Sequence, residues 1–313
     1  MGLRTMKFLK RPPSSRVWLY RNTLFTILFA VSAVQSQAQA PYTIASQNGS
    51  TSLQATFSGP NSGLSDWVLQ PSGPNPVSQL NQEWFYYSLG SGPVYSIDQI
   101  ASPTSINNHN FGGAPFLQAT YVNSDLSVTV KFAPGNLSTA NGQSTLTDTL
   151  TIANPSAFSE TIHFYQYTHL TLGGVAGGQN VQFSNNGSGV NYQVNQNVPG
   201  GGGYQGQLIG GSPSPGEVQA GVNTQFGLVN GNASPTLDNV TLAAGPGDVS
   251  YAYEWDVTLA PTGQSGSSFI ISELQTVPEP SSLALMASGM LGLAFLCWRR
   301  RVDSVIAVPA AQV

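Results

Sequence analysis

Tyr251-Ala252-Tyr253-Glu254-Trp255-Asp256-Val257-Thr258-Leu259 reads as a β-strand buried on one side. Tyr251, Tyr253, Trp255, Val257 and Leu259 share one face; Ala252, Glu254, Asp256 and Thr258 share the other. Side chains of an extended chain alternate with period two, so an aromatic face opposite a polar one marks a sheet with one side in the core. Residues 125–132 repeat the pattern, with Leu126, Val128, Val130 and Phe132 opposing Ser127, Thr129 and Lys131. So do residues 145–152, where Leu146, Leu150 and Ile152 oppose Thr145, Thr147, Thr149 and Thr151. Strands with one wet face belong to antiparallel sheets.

Turn residues punctuate these runs. Pro134-Gly135-Asn136, Asn141-Gly142, Gly173-Gly174, Asn186-Gly187 and Gly245-Pro246-Gly247 supply the backbone angles that turns require. Asn154-Pro155-Ser156 reads as a hairpin-type connection between TLTIAN and ETIHFYQY. Residues 173–216 read as long loops around short strands near 181–183 and 190–194. No capped amphipathic helix interrupts the series. The expectation is an all-β body over residues 41–276, an antiparallel β-sandwich of jelly-roll-like form.

Charge narrows the partners. Lys131 is the only Lys or Arg between Pro41 and Trp298, whereas every Asp and Glu of the chain except Asp303 lies there. Such an acidic body is repelled by phosphate backbones, which excludes nucleic acid. The single cysteine, Cys297, lies outside the body, so the body has no disulfide, thiol nucleophile or thiolate metal site.

The basic residues gather at the two ends. Arg4, Lys7, Lys10, Arg11, Arg16 and Arg21 precede the apolar run TLFTILFAVSAV at 23–34, and Ala38-Gln39-Ala40 fits the small-x-small cleavage rule. Residues 1–40 therefore read as a signal peptide for the general secretory route, cleaved after Ala40. At the other end no charge interrupts Ser281 to Trp298. As a helix that run is about 27 Å long against a hydrocarbon core of about 30 Å, so one C-terminal transmembrane helix is expected. Arg299, Arg300 and Arg301 hold its far end in the cytoplasm, which leaves residues 302–313 as a short cytoplasmic tail and the body outside.

Val277-Pro278-Glu279-Pro280-Ser281, the apolar span and the arginine cluster, in that order, resemble the PEP-CTERM sorting signal of Gram-negative bacteria. The resemblance implies that residues 277–301 are a sorting signal, with Pro278, Glu279 and Pro280 as its motif and Arg299, Arg300 and Arg301 as its topology signal. It further implies two partners: the secretion machinery and an exosortase-type membrane protease that removes the helix. The implied route runs from an inner-membrane-anchored precursor to the cell surface or the exterior, in a setting of exopolysaccharide. One departure is that family members usually stop soon after the arginines, whereas this chain continues from Val302 to Val313. Ectodomains of the family often show a Trp-Phe strand, a Tyr-rich strand and a Tyr-x-Trp-Asp strand. Here these correspond to Glu83-Trp84-Phe85-Tyr86-Tyr87, Phe164-Tyr165-Gln166-Tyr167 and Tyr253-Glu254-Trp255-Asp256.

Candidates for chemistry are few. His163, Tyr165, Tyr167 and His169 share a strand face, and six residues at about 3.3 Å each put the histidines about 20 Å apart, too far to share a metal. Tyr165 and Tyr167 are the candidate glycan platform, since tyrosine joins an apolar ring to a polar tip; the competing reading is a sheet face covered by other chain. Glu254 and Asp256 fall about 7 Å apart, within the range of about 5–9.5 Å for glycosidase carboxyls, although same-face acids on an outward strand are ordinarily just solvated. Asp238-Asn239 and Gly247-Asp248 offer hard oxygens to calcium without the spacing of a known loop. No G-x-S-x-G, H-E-x-x-H or phosphate-binding loop is present. No catalytic residue, metal or cofactor is therefore assigned. The expectation is a non-enzymatic exported surface or matrix protein. The alternatives are a lectin-like carbohydrate-binding module and, after it, a glycoside hydrolase relying on Glu254.

Overall fold

The computed structural model describes residues 40–278, except 60–61, 71–75, 110–113, 139–142, 186–191, 200–203 and 213–214. The expected transmembrane span, Ala38, Glu279, Pro280 and the three arginines lie outside the described residues. Among the described residues, no helix is long and apolar enough to cross a membrane.

The strands follow in chain order as β1 (Tyr42–Ala45), β2 (Thr51–Thr56), β3 (Gly63–Leu69), β4 (Val77–Ser78), β5 (Leu80–Leu89) and β6 (Tyr95–Ser96). Then come β7 (Ser105–His109), β8 (Phe116–Val122), β9 (Ser127–Pro134), β10 (Gln143–Ala153), β11 (Glu160–Leu170) and β12 (Gln179–Asn185). The last six are β13 (Tyr192–Asn197), β14 (Tyr204–Ser212), β15 (Glu217–Val222), β16 (Ala243–Gly247), β17 (Val249–Leu259) and β18 (Ser268–Pro278). They form two sheets, all of whose pairings are antiparallel. The first runs β1-β2-β3-β5-β11-β17-β15, with β4 and β6 attached to β3 and β5. The second runs β16-β12-β13-β14-β18-β10-β9-β8-β7.

The alternation read from the sequence decides which side of each strand is dry. Val128, Val130 and Phe132 of β9, Leu146, Leu150 and Ile152 of β10, and Tyr251, Tyr253 and Trp255 of β17 are all buried in one core shared by the two sheets. Phe85 marks its centre, stacked at 6.1 Å on Phe164 of its own sheet and at 6.2 Å on Phe132 of the facing one. Phe183 meets the edges of Tyr251 and Tyr253 at 6.0 and 5.4 Å. The three aromatic stretches singled out above become neighbours, β5, β11 and β17, with Phe85 opposite Gln166 and Gln166 opposite Tyr253.

Two local expectations are corrected. Residues 154–156 do not close a hairpin, because β10 pairs with β9 and β18 in the second sheet while β11 pairs with β5 and β17 in the first. The segment is a crossing between sheets. Buried Asn154 fixes it by donating to the carbonyls of Phe158 (2.7 Å) and Ala260 (3.0 Å) and accepting the Ser156 N–H (2.8 Å). Residues 173–216 hold β12, β13 and β14 rather than mostly loops. Asn, Gln and Gly have weak strand preference, so the signal was faint. Val181, Phe183 and Val194 nonetheless fill the core, and buried Gln196 donates to Gln179 at 2.7 Å.

The body also runs a little further than expected. β18 pairs with β10 as far as Gln143 opposite Pro278, and Val277 is wholly buried. Replacing Phe85 by Ala leaves a cavity between the sheets and is expected to cost about 3–5 kcal/mol in urea unfolding. A loss below about 1 kcal/mol would show that the stack is not the centre of the core.

Candidate functional site

The outer face of the first sheet carries the polar residues singled out in the sequence. β11 presents His163, Tyr165 and Tyr167 there, and the antiparallel register sets them opposite Asp256, Glu254 and Ala252 of β17. The segment 223–242 between β15 and β16 folds back over this face. Its Phe226, Leu228 and Leu237 close with Val94 and Ala252 on Tyr165 and Tyr167 as a second, smaller core. The Tyr165 hydroxyl donates to the Pro235 carbonyl at 2.8 Å and meets Ser234 Oγ at 2.7 Å. Backbone bonds between Val94 and the pair Gly231 and Asn232, each 2.9 Å, tie the covering segment to the sheet.

Tyr165 is 0% and Tyr167 5% exposed. The structure places both rings of the expected glycan platform under residues 226–237, Tyr165 wholly and Tyr167 except where it reaches the depression described below. Burial pushes both phenols above their ordinary value.

The same cover changes Glu254. Its side chain is only 2% exposed, so it is not the solvated outward acid that alternation suggested. Oε2 accepts the Leu237 N–H at 3.0 Å, and Oε1 lies 3.5 Å from His163 Nδ1. Burial, reinforced by the charges of Asp256 and Glu217 and opposed by the Leu237 N–H, pushes the carboxyl from 4.5 up to about 7. Asp256 stays at the rim, where its Oδ1 accepts from His163 Nδ1. His163, Glu254 and Asp256 each bring one ligand atom within 4.8 Å of the others, a set that could hold a metal ion. A carboxyl that exchanges its proton near neutrality beside an imidazole is also capable of acid–base work. Yet Glu254 is enclosed, and the two acids converge on one histidine instead of flanking a space for a glycosidic bond.

His169 lies further along β11 with different partners. Asn81 Nδ2, a donor only, faces its Nδ1 at 3.1 Å, which leaves the ring proton on Nε2 to reach Asp248 at 2.6 Å. Beside this pair lies an open depression of about 480 Å³, lined also by Tyr167, Asn223, Thr224, Gln225 and Ser250. The oxygens offered to calcium in the sequence reading have other work. Asp238 Oδ1 accepts the N–H groups of Val240 (3.0 Å) and Thr241 (2.8 Å), and Asp248 holds His169. His109 stacks on Phe116 at 5.2 Å, at the edge of the other sheet.

One group went unnoticed in the sequence. Glu83, Asp148 and Glu273 meet in the core between the sheets, all buried and within 4.8 Å of one another. A signal for it existed. Asp148 occupies the inward slot between Leu146 and Leu150, where alternation calls for an apolar residue.

Residues 276–301 match the family described as the PEP-CTERM protein-sorting motif. The chain carries a PEP-CTERM sorting signal. A PEP-CTERM motif implies an exported, membrane-sorted protein processed by exosortase. No curated protein matches the chain. Among solved structures, the chain is similar to a bacterial glucoamylase complexed with acarbose, at 10% identity and a TM-score of 0.49, over 82% of this chain and 35% of that one. It is similar to a putative aldose 1-epimerase of Escherichia coli K12, at 11% identity and a TM-score of 0.38, over 76% and 98% of the two chains. A putative kojibiose phosphorylase from the human microbiome matches at 7% identity and a TM-score of 0.34, over 72% and 26%. The PEP-CTERM chain thus spans about a third of the glucoamylase's length.

Glu254 gives a pH test. Between about pH 4.5 and 7 the unfolded chain releases this proton while the fold keeps it, so its contribution makes stability fall as pH rises. Glu254→Gln is expected to match the parent near pH 4 and to exceed it by on the order of 1–3 kcal/mol near pH 8, in paired urea titrations. A variant less stable than the parent near pH 8 would show that the ionised carboxylate is stabilised in place.

Proposed function

We propose that this chain is a non-enzymatic protein of the cell surface or extracellular matrix, built on a jelly-roll-like sandwich and associated with exopolysaccharide. It is inserted as an inner-membrane-anchored precursor and then processed at its tail. The observation that carries this reading is the junction between body and signal. The sorting motif begins at residue 276, while β18 runs on to Pro278 with Val277 sealed in the core. Signal and fold therefore overlap without a linker, and a cut before Val277 would withdraw a core side chain. β1 likewise begins at Tyr42, two residues after the expected signal-peptide cleavage site.

The depression beside His169 and Asp248 supports a second reading, a carbohydrate-binding module. Its volume falls within the range of about 300–1,000 Å³ usual for small-ligand sites, and hydroxyl, amide, imidazole and carboxylate groups line it. Under this reading the sugar meets hydrogen-bonding groups beside the covering segment, not an aromatic platform.

Mass spectrometry of the protein recovered from producing cells tests the first reading. The parent is expected outside the inner membrane, starting at Pro41 and ending at or just beyond Pro278, and Glu279→Ala is expected to keep Arg299–Arg301 and remain in the membrane fraction. A parent protein that keeps its tail would contradict this. Retention on polysaccharide that His169→Ala abolishes would favour the second reading.

A further inference from the structure

The buried carboxyls of Glu83, Asp148 and Glu273 come from β5, β10 and β18, so both sheets contribute to one cluster. Each side chain belongs to a residue no more than 1% exposed. No basic side chain can balance them. Lys131, the only Lys or Arg in the body, lies over the Phe116 ring at 4.3 Å on the outside of the second sheet, and His109, His163 and His169 are engaged elsewhere.

Two amides serve the cluster. Gln166 Nε2 donates to Glu83 Oε1 (2.8 Å) and Glu273 Oε2 (2.5 Å), and Gln275 Nε2 donates to Glu83 Oε2 (2.6 Å) and Asp148 Oδ2 (2.9 Å). Those contacts use every hydrogen the two amides possess. Around the same point, Gln166 Oε1, Thr168 Oγ1 and the Tyr253 hydroxyl are buried and find no hydrogen-bond partner in the protein. Thr168 is the cross-strand neighbour of Glu83, and Tyr253 that of Gln166. Buried polar atoms without partners are rare and call for a ligand. Here they belong to residues beside an acidic cluster whose two amides have no hydrogen left to give.

We propose that Glu83, Asp148 and Glu273, with the Gln166 carbonyl oxygen beside them, bind a calcium ion between the two sheets. The geometry admits it. One oxygen from each acid lies within 4.8 Å of the others, which equals the diameter of a shell of oxygens about 2.4 Å from a common centre. The ligand chemistry selects it, because an all-oxygen set without nitrogen or sulfur takes a hard cation. Calcium accepts an irregular all-protein cage, whereas magnesium keeps several waters that a closed core does not hold. Charge agrees as well: three carboxyls meet there, and the one Lys or Arg of the body, Lys131, lies over the Phe116 ring instead. In so enclosed a site the ion enters as the sheets close, and binding is coupled to folding.

The test uses the exported protein purified from producing cells without chelator. Plasma mass spectrometry is expected to find close to one calcium per chain. After unfolding in EDTA, refolding with CaCl2 is expected to restore both the calcium and a higher melting temperature than refolding without it. Asp148→Asn and Glu273→Gln are expected to cut bound calcium about tenfold or more, while Asp238→Asn, a surface acid, leaves it unchanged. Wild-type protein that refolds with excess CaCl2 yet holds less than about a tenth of an equivalent overturns the proposal, as does equal calcium in wild type and Glu273→Gln. Should neither core variant fold, the wild-type calcium content and its effect on melting decide alone.

Discussion

Three carboxyls closed between two sheets, in a body with a single Lys or Arg, set the terms on which this fold holds together. An ion left uncompensated in such a core costs several kcal/mol, as much as a sizeable part of a domain's whole stability. The fold meets that cost locally. Gln166 and Gln275 spend their amide hydrogens on the cluster. Because Glu83 and Gln166 belong to one sheet and Asp148, Glu273 and Gln275 to the other, the polar seam also fixes how the sheets meet. Apolar faces alone slide past one another more readily than directional hydrogen bonds allow.

The outer face of the first sheet shows the same economy turned outward. The segment 223–242 brings Phe226, Leu228 and Leu237 down over β11 and β17 and converts what would be a wet surface into a second core. Its cover withdraws Tyr165, Glu254 and most of Tyr167 from solvent and leaves His163, Asp256 and the depression at His169 and Asp248 open. The sorting signal begins inside the last strand, so signal and fold share residues 276–278.

Alternation carried most of what could be read in advance. Strands β9, β10 and β17 follow from their period-two patterns, and each residue named as inward there is inward. The connection at 154–156 misled because a turn signature does not say whether the next strand returns to the same sheet, and only the tertiary bonds of Asn154 settle it. β12 and β13 were faint because their inward slots mix Val181, Phe183 and Val194 with Gln179 and Gln196, which carry little hydrophobic contrast. Glu254 and the two tyrosines were assigned to the correct face, yet their burial depends on a covering segment with no periodicity of its own. Asp148 was visible as an acid in an apolar slot. Its partners Glu83 and Glu273 lie 65 and 125 positions away along the chain, and no spacing rule joins ligands drawn from two sheets.

Anomalous diffraction from crystals of the exported protein grown with CaCl2 addresses the central constraint directly, since it locates the compensating charge itself. The predicted result is an anomalous peak between the sheets, about 2.4 Å from an oxygen of each of Glu83, Asp148 and Glu273. A core without such a peak, its carboxyl oxygens joined only by protons and water, would contradict it.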